Sequence, residues 1–208
     1  AFGEESFSIF NNQELINQAS YWQRSGTGFP APFYLNNIVL LVFVKFLSFL
    51  QLPLALIQPA FYFIVILSGL IGLFYFQKEI LDKVDKSTYF VSCVFYLFNL
   101  YGMTQIWGRF LYAHMLLWAY LPLFLLLWLK WLKENRLKIL FAFMVTNLIF
   151  SVTYAQPAFI LTLAIPAALF GVLELWKARY KIRDVFNLIL KSLAFCLSWF
   201  VSSSWWLY

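Results

Sequence analysis

The sequence predicts an all-α polytopic membrane protein of about six transmembrane helices, with an exterior N-terminal loop that carries short and interfacial helices. Three observations lead there. Apolar residues make up 63% of the chain, aromatic residues 22% and charged residues only 12%, whereas soluble domains carry roughly 25% charged residues. The apolar residues fall into long runs, and a helix needs about 20 of them to cross about 30 Å of hydrocarbon at 1.5 Å per residue. Twelve of the fifteen Lys and Arg residues gather in three short polar gaps between those runs.

Residues 1–37 form the longest polar region. Asn11 and Asn12 can cap a helix that starts at Gln13, since their side chains satisfy its first free N–H groups. Residues 24–32 mix glycine freedom with proline restriction and read as a loop. Residues 38–52 are apolar but short, carry Lys45 near the centre and run into Pro53. They read as an interfacial or re-entrant helix with Lys45 reaching the headgroups; a crossing here would need a tight hairpin around residues 51–54 and would invert every later loop. Residues 53–208 form the transmembrane bundle, with spans at 53–76, 88–105, 111–129, 139–154, 159–176 and 188–208.

The basic residues orient these spans. Lys78, Lys83 and Lys86 fill one gap, Lys130, Lys133, Arg136 and Lys138 the next, and Lys177, Arg179, Lys181, Arg183 and Lys191 the third, against only Arg24, Lys45 and Arg109 on the alternate side. Short loops rich in Lys and Arg stay cytoplasmic, so the sequence predicts a multi-pass protein of the plasma membrane with the N-terminal loop outside. The net charge of +6 then reflects topology and membrane lipid, and nucleic acid is not an expected partner. Trp107, Trp118, Trp205 and Trp206, with Tyr101, Tyr112, Tyr154 and Tyr208, are expected near the outer boundary as an aromatic belt. A chain starting outside, without Met and ending within an apolar run, is expected to be part of a longer protein with a helix upstream.

Within the spans, Ala164 with Ala168 and Ala167 with Gly171 have the four-residue spacing that lets helix backbones approach. Pro59, Pro122 and Pro166 are expected to bend their helices. Asn147, Ser151 and Tyr154 make one polar stripe, suited to hydrogen bonds between helices. Cys93 and Cys196 fall inside apolar spans and are assigned neither disulfide nor metal.

Candidates for chemistry collect on the outer side. Glu4 and Glu5 at a membrane surface could serve as a general base toward a hydroxyl or help to hold a divalent cation, or be solvated loop acids; no other metal site or cofactor is assigned. Arg109 offers a rigid fork of donors to a lipid phosphate, or anchors to headgroups. His114, the only histidine, sits about one turn inside the third span, where a polar ring needs protein or a cavity around it.

The order of parts resembles the N-terminal membrane domain of GT-C glycosyltransferases, in particular the α-(1→3)-arabinofuranosyltransferase-like group. The matching pieces are Phe2-Gly3-Glu4-Glu5, Tyr21-Trp22 followed by Gly26-Thr27-Gly28, Phe95-Tyr96-Leu97-Phe98-Asn99, and Leu117-Trp118-Ala119-Tyr120-Leu121-Pro122. The resemblance implies transfer of a sugar, such as arabinofuranose, from a polyprenyl-phosphate donor to a cell-envelope glycan on the exterior face. It implies Glu5 or Glu4 as the catalytic acidic residue of the first exterior loop, where the family more often shows Gly-Asp. Displacing a lipid phosphate calls for positive charge at the leaving group, so Arg109, with His114 assisting, is expected at the donor phosphate; Tyr21 and Trp22 contact the sugar or form an interfacial aromatic pair. A transporter or flippase, or a non-catalytic protein of envelope assembly, is the alternative; few ionisable groups lie in the spans to couple ions to transport.

Overall fold

In the computed structural model, residues 38–81, 85–104, 112–155, 157–178 and 182–203 are described. All their regular structure is helical: α1 Ile38–Phe49, α2 Leu54–Ile80, α3 Lys86–Phe98, α4 Tyr112–Glu134, α5 Leu137–Ile149, a 3-10 helix Ser151–Ala155, α6 Pro157–Ala178 and α7 Ile182–Ser203. Four of them, α2, α4, α6 and α7, are long and apolar enough to cross a membrane. Pro59, Pro122 and Pro166 lie inside α2, α4 and α6, each of which continues through its proline.

The α4 helix is the axis of the bundle. It contacts α2, α5, the 3-10 helix, α6 and α7, and 78% of its apolar stretch is buried, against 22% for α2 and 11% each for α6 and α7. The remaining helices expose Phe, Leu, Ile and Val along their outer faces, a surface that hydrocarbon tolerates and water does not.

Glycine, not alanine, sets the closest approach. A Cβ built on Gly69 would lie 3.0 Å from the Cα of Ala119, and one on Gly72 would lie 2.7 Å from Leu123 Cγ, so α2 and α4 meet nearly backbone to backbone. The expectation that Ala164, Ala167, Ala168 and Gly171 bring helices together is corrected here. Those residues line an apolar crevice of about 480 Å³ between α6 and α7, and a Cβ on Gly171 would meet only the Trp128 ring, at 3.5 Å. Phe195 and Trp199 of α7 and Phe124 and Trp128 of α4 line the same crevice, so large side chains, not a neighbouring backbone, face these small residues.

Two of the runs expected as single spans are interrupted. The second breaks at Asn99, whose side chain holds both sides of the break: Nδ2 donates to the Tyr96 carbonyl at 2.9 Å, and Oδ1 accepts from the Gly102 N–H at 2.8 Å. A short helical turn follows at 100–104. The fourth ends as α-helix at Ile149 and continues as 3-10 helix to Ala155. At the other boundaries, Gln51 (φ 59°) and Asn135 (φ 50°) take the left-handed conformation that closes α1 and α4, with the Leu52 N–H reaching Leu47 O at 3.3 Å and the Asn135 N–H reaching Trp131 O at 3.1 Å. After the Gln51 turn, α1 lies back against α2, with Phe43 edge-on to Phe61 at 5.3 Å. Its 12 residues rise about 18 Å, short of the about 30 Å of a crossing.

The ends of α2, α4 and α6 and the start of α7 bring Lys78, Lys133, Lys177 and Lys191 to one end of the bundle. Lys133 donates to Glu79 Oε1 at 2.8 Å and to its carbonyl at 2.9 Å, joining α2 to α4. Trp131 Nε1 donates to the Lys191 carbonyl at 2.7 Å while Lys191 Nζ donates to the Leu132 carbonyl, joining α4 to α7. A cleft of about 750 Å³ at this end is lined by Trp131, Glu174, Lys177, Asp184, Asn187 and Lys191, among others.

Candidate functional site

The opposite end of the bundle, where α4 begins, holds a buried cluster of neutral polar side chains. Tyr120 lies one face inward on α4, Asn147 two residues before the end of α5, Tyr154 on the 3-10 helix, and Ser202 and Ser203 on the last turn of α7. All are buried. Tyr120 donates to Asn147 Oδ1 at 2.9 Å, and Tyr154 donates to the same oxygen and approaches the Tyr120 hydroxyl at 3.2 Å. The amide nitrogen of Asn147 donates to Ser202 Oγ at 2.6 Å and Ser203 Oγ at 3.0 Å. One amide thus joins four hydroxyls from three further elements, each of which would be costly to leave unpaired away from water. The Tyr120 ring stacks on Phe150 at 5.1 Å and Tyr154 stands edge-on to Trp199 at 5.5 Å, which fixes the ring planes.

Nearer the start of α4 lies an imidazole. His114 is half-buried; its Nδ1 is 2.8 Å from the Tyr101 hydroxyl, and its ring meets Phe159 edge-on at 4.7 Å. If Tyr101 donates, Nε2 carries the proton and is a donor; if Nδ1 donates, Nε2 is a base. The pair is therefore fitted either to proton transfer or to holding an anion. No family model matches the chain, and no curated protein or solved structure matches it either.

Of the expected site residues, only His114 falls where its surroundings can be stated. Glu4, Glu5, Tyr21, Trp22 and Arg109 lie outside the described residues. Among the described residues no group of three His, Cys, Asp or Glu could hold a metal ion, and Cys93 and Cys196 are free thiols.

Two aromatic assignments are corrected. Trp118 and Tyr154, expected in an interfacial belt, are buried. Trp118 stacks on Tyr96 at 4.3 Å and donates to its carbonyl at 3.1 Å, while the Tyr96 hydroxyl donates back to the Trp118 carbonyl; this two-way bond fastens α3 to α4. An indole or phenol whose polar tip is satisfied by protein has no need of the headgroup layer. The Asn147–Tyr154 part of the expected stripe does make bonds between elements. The sequence reading gives Tyr120, Ser202 and Ser203 no hydrogen-bonding role. Their signal was a hydroxyl inside an otherwise apolar run, which in hydrocarbon asks for a partner.

Proposed function

We propose that this chain is the membrane-embedded part of a glycosyltransferase that moves a sugar from a polyprenyl-phosphate carrier to a cell-envelope glycan. The observation that supports it best is the Tyr101–His114 pair at the end of α4 remote from the basic residues. With that basic end cytoplasmic, the pair faces the exterior, where a lipid-linked donor presents its phosphate. Arg109 precedes His114 by five residues in the chain, so its guanidinium is within chain reach of the same end.

In the proposed reaction, a carboxylate of Glu5 or Glu4 accepts the proton of the acceptor hydroxyl. The hydroxyl oxygen bonds to the anomeric carbon as the bond from that carbon to the carrier phosphate breaks, and the phosphate leaves with the electron pair. Arg109 meets the charge that develops there, with His114, oriented by Tyr101, beside it. Tyr21 and Trp22 provide faces for the sugar.

The test is sugar transfer from a polyprenyl-phosphate donor by the full-length protein in membranes. Glu4→Gln, Glu5→Gln, Arg109→Ala and His114→Ala are compared at matched protein levels. A loss on the order of 10²-fold or more is expected for one glutamate variant, as for removal of a general base. Undiminished transfer by all four variants overturns the proposal.

A flippase is the second reading, favoured by one observation: the interrupted runs at Asn99 and after Ile149, since broken helices often line transport paths. Movement of a lipid-linked sugar across vesicles without any transfer product would select it.

A further inference from the structure

We infer that the Ser151–Thr153 segment holds ordered water inside the bundle. Ser151 Oγ and Thr153 Oγ1 are buried, at 1% and 0% exposure, and neither has a hydrogen-bond partner. A hydroxyl removed from water without a partner is costly, more so in hydrocarbon, where no solvent can return to it. The neighbouring amide cannot serve: Asn147 Oδ1 already accepts from Tyr120 and Tyr154, and its Nδ2 already donates to Ser202 and Ser203.

The backbone points the same way. The 13 residues of α5 rise about 20 Å, and the five residues of the 3-10 helix add about 10 Å, so together they approach the hydrocarbon thickness of about 30 Å. The 3-10 part has poorer hydrogen-bond geometry, and non-helical backbone at membrane depth persists where protein encloses it or water reaches it. Here α4 and α6 enclose it, and the two hydroxyls supply polar contacts for water. Among the described residues no charged side chain takes part in the network, so the ligand argued for is a small neutral group that both donates and accepts. Water meets that description and is the smallest that does; buried waters make about three hydrogen bonds each.

Radiolytic hydroxyl labelling of the full-length protein in nanodiscs tests this, with rapid mixing into ¹⁸O-water just before exposure. Bound water exchanges slowly, so ¹⁶O label is expected on buried Tyr154 or Tyr120 after mixing. It is expected to disappear in Ser151→Ala/Thr153→Val, whose melting temperature should fall by about 2–4 °C, the shift typical of one lost interaction in a chain of this size. Absence of retained label in the wild type overturns the inference. So does label that persists in the double variant, or a melting temperature that rises in it, because removal of truly empty hydroxyls relieves a penalty. The single variant Thr153→Val, nearly isosteric, repeats the reading should the double variant fold poorly.

Discussion

The two sides of α4 are held by different forces. Toward α2 the contact is steric: Gly69 and Gly72 admit the α4 backbone at Ala119 and Leu123 so closely that a Cβ would collide. Toward α5, α6 and α7 the contacts are looser in shape and tied by directed bonds: Tyr120 to Asn147, Trp128 Nε1 to the Ala167 carbonyl at 3.0 Å, and Trp131 Nε1 to the Lys191 carbonyl. In lipid there is little hydrophobic force between helices, so close packing and interhelical hydrogen bonds are the two available means of association. Along its apolar length this chain uses one on each side of its central helix; the Lys133–Glu79 bonds to α2 lie at the basic end. Small residues serve both. On α2 they let backbones touch; on α6 they leave the Ala167 carbonyl open to a tryptophan and a crevice beside it.

The hydrogen-bonded side should break most sharply at one atom group. Asn147→Leu keeps the branched outline of Asn, with two bulkier methyl groups, and removes the bonds to Tyr120, Tyr154, Ser202 and Ser203 together. Re-pairing between the two tyrosines, already 3.2 Å apart, and the bonds Ser202 keeps to the Ser198 and Trp199 carbonyls limit the loss, so about 3–4 kcal/mol is expected, at about 1–3 kcal/mol for each group left short of a partner. Thermal unfolding of the purified protein in nanodiscs would measure it. A loss no larger than that of a surface substitution would mean the network does not hold α7 to α4.

The steric side should break at Gly69→Ala, by about 1–3 kcal/mol of overpacking against Ala119 and Trp118. Gly171→Ala is its counterpart on α6. The added methyl there meets only Trp128 at ordinary distance, and alanine favours helix over glycine by about 1 kcal/mol, so stability should hold or rise. Equal effects of the two substitutions would erase the distinction between the sides.

What the sequence made legible follows the same division. Four of the apolar runs overlap the four long apolar helices, because length and hydropathy are properties of a segment alone. Among the described residues, basic side chains of all three gaps meet at one end, as alternation along the chain requires. The pairing of faces was hidden: α2 is apolar on every side, so no stripe marks Gly69 and Gly72 as its contact. The small-residue face of α6 was visible, but its meaning depended on Phe195, Trp199 and Trp128 opposite, which only tertiary structure brings there. At the site, Asn147 and Tyr154 stood out as polar groups in an apolar run. The Tyr101 partner of His114 did not, since nothing local links residues on either side of a chain reversal.

A milder probe of the hydrogen-bonded side is Trp128→Phe. It keeps an aromatic ring in the crevice floor and removes only the donor to Ala167. One bond of this kind contributes about 1 kcal/mol, so a small loss of stability is expected. A cysteine label placed on Ala164 should also become more accessible as the crevice loosens. Unchanged stability together with unchanged labelling would show that ring packing, not the indole bond, sets the α6–α4 distance.

The smallest effect concerns the start of α3. This helix buries none of its residues; it is fastened to α4 near its end through Tyr96 and Trp118 and to α2 near its start, where the Tyr89 hydroxyl donates to the Leu70 carbonyl at 3.3 Å, so its local cap is one of two holds there. Asp85 Oδ1 accepts from the Thr88 N–H at 2.7 Å, and hydrogen bonds from Thr88, through its side chain first and its backbone second, hold the Asp85 carboxyl below its ordinary range. A depressed carboxyl favours the folded cap at any pH above the ordinary carboxylate value and loses that contribution as pH falls through the lowered one. Thr88 amide exchange, corrected for its intrinsic pH dependence, should therefore stay slow at neutral pH and speed up in acid below the usual carboxylate range. In Asp85→Asn the side-chain oxygen still caps the helix but cannot titrate, so the acid step should vanish while protection at neutral pH is largely kept. An acid step that survives in Asp85→Asn would assign the titration to another group and leave the start of α3 held by something other than its cap.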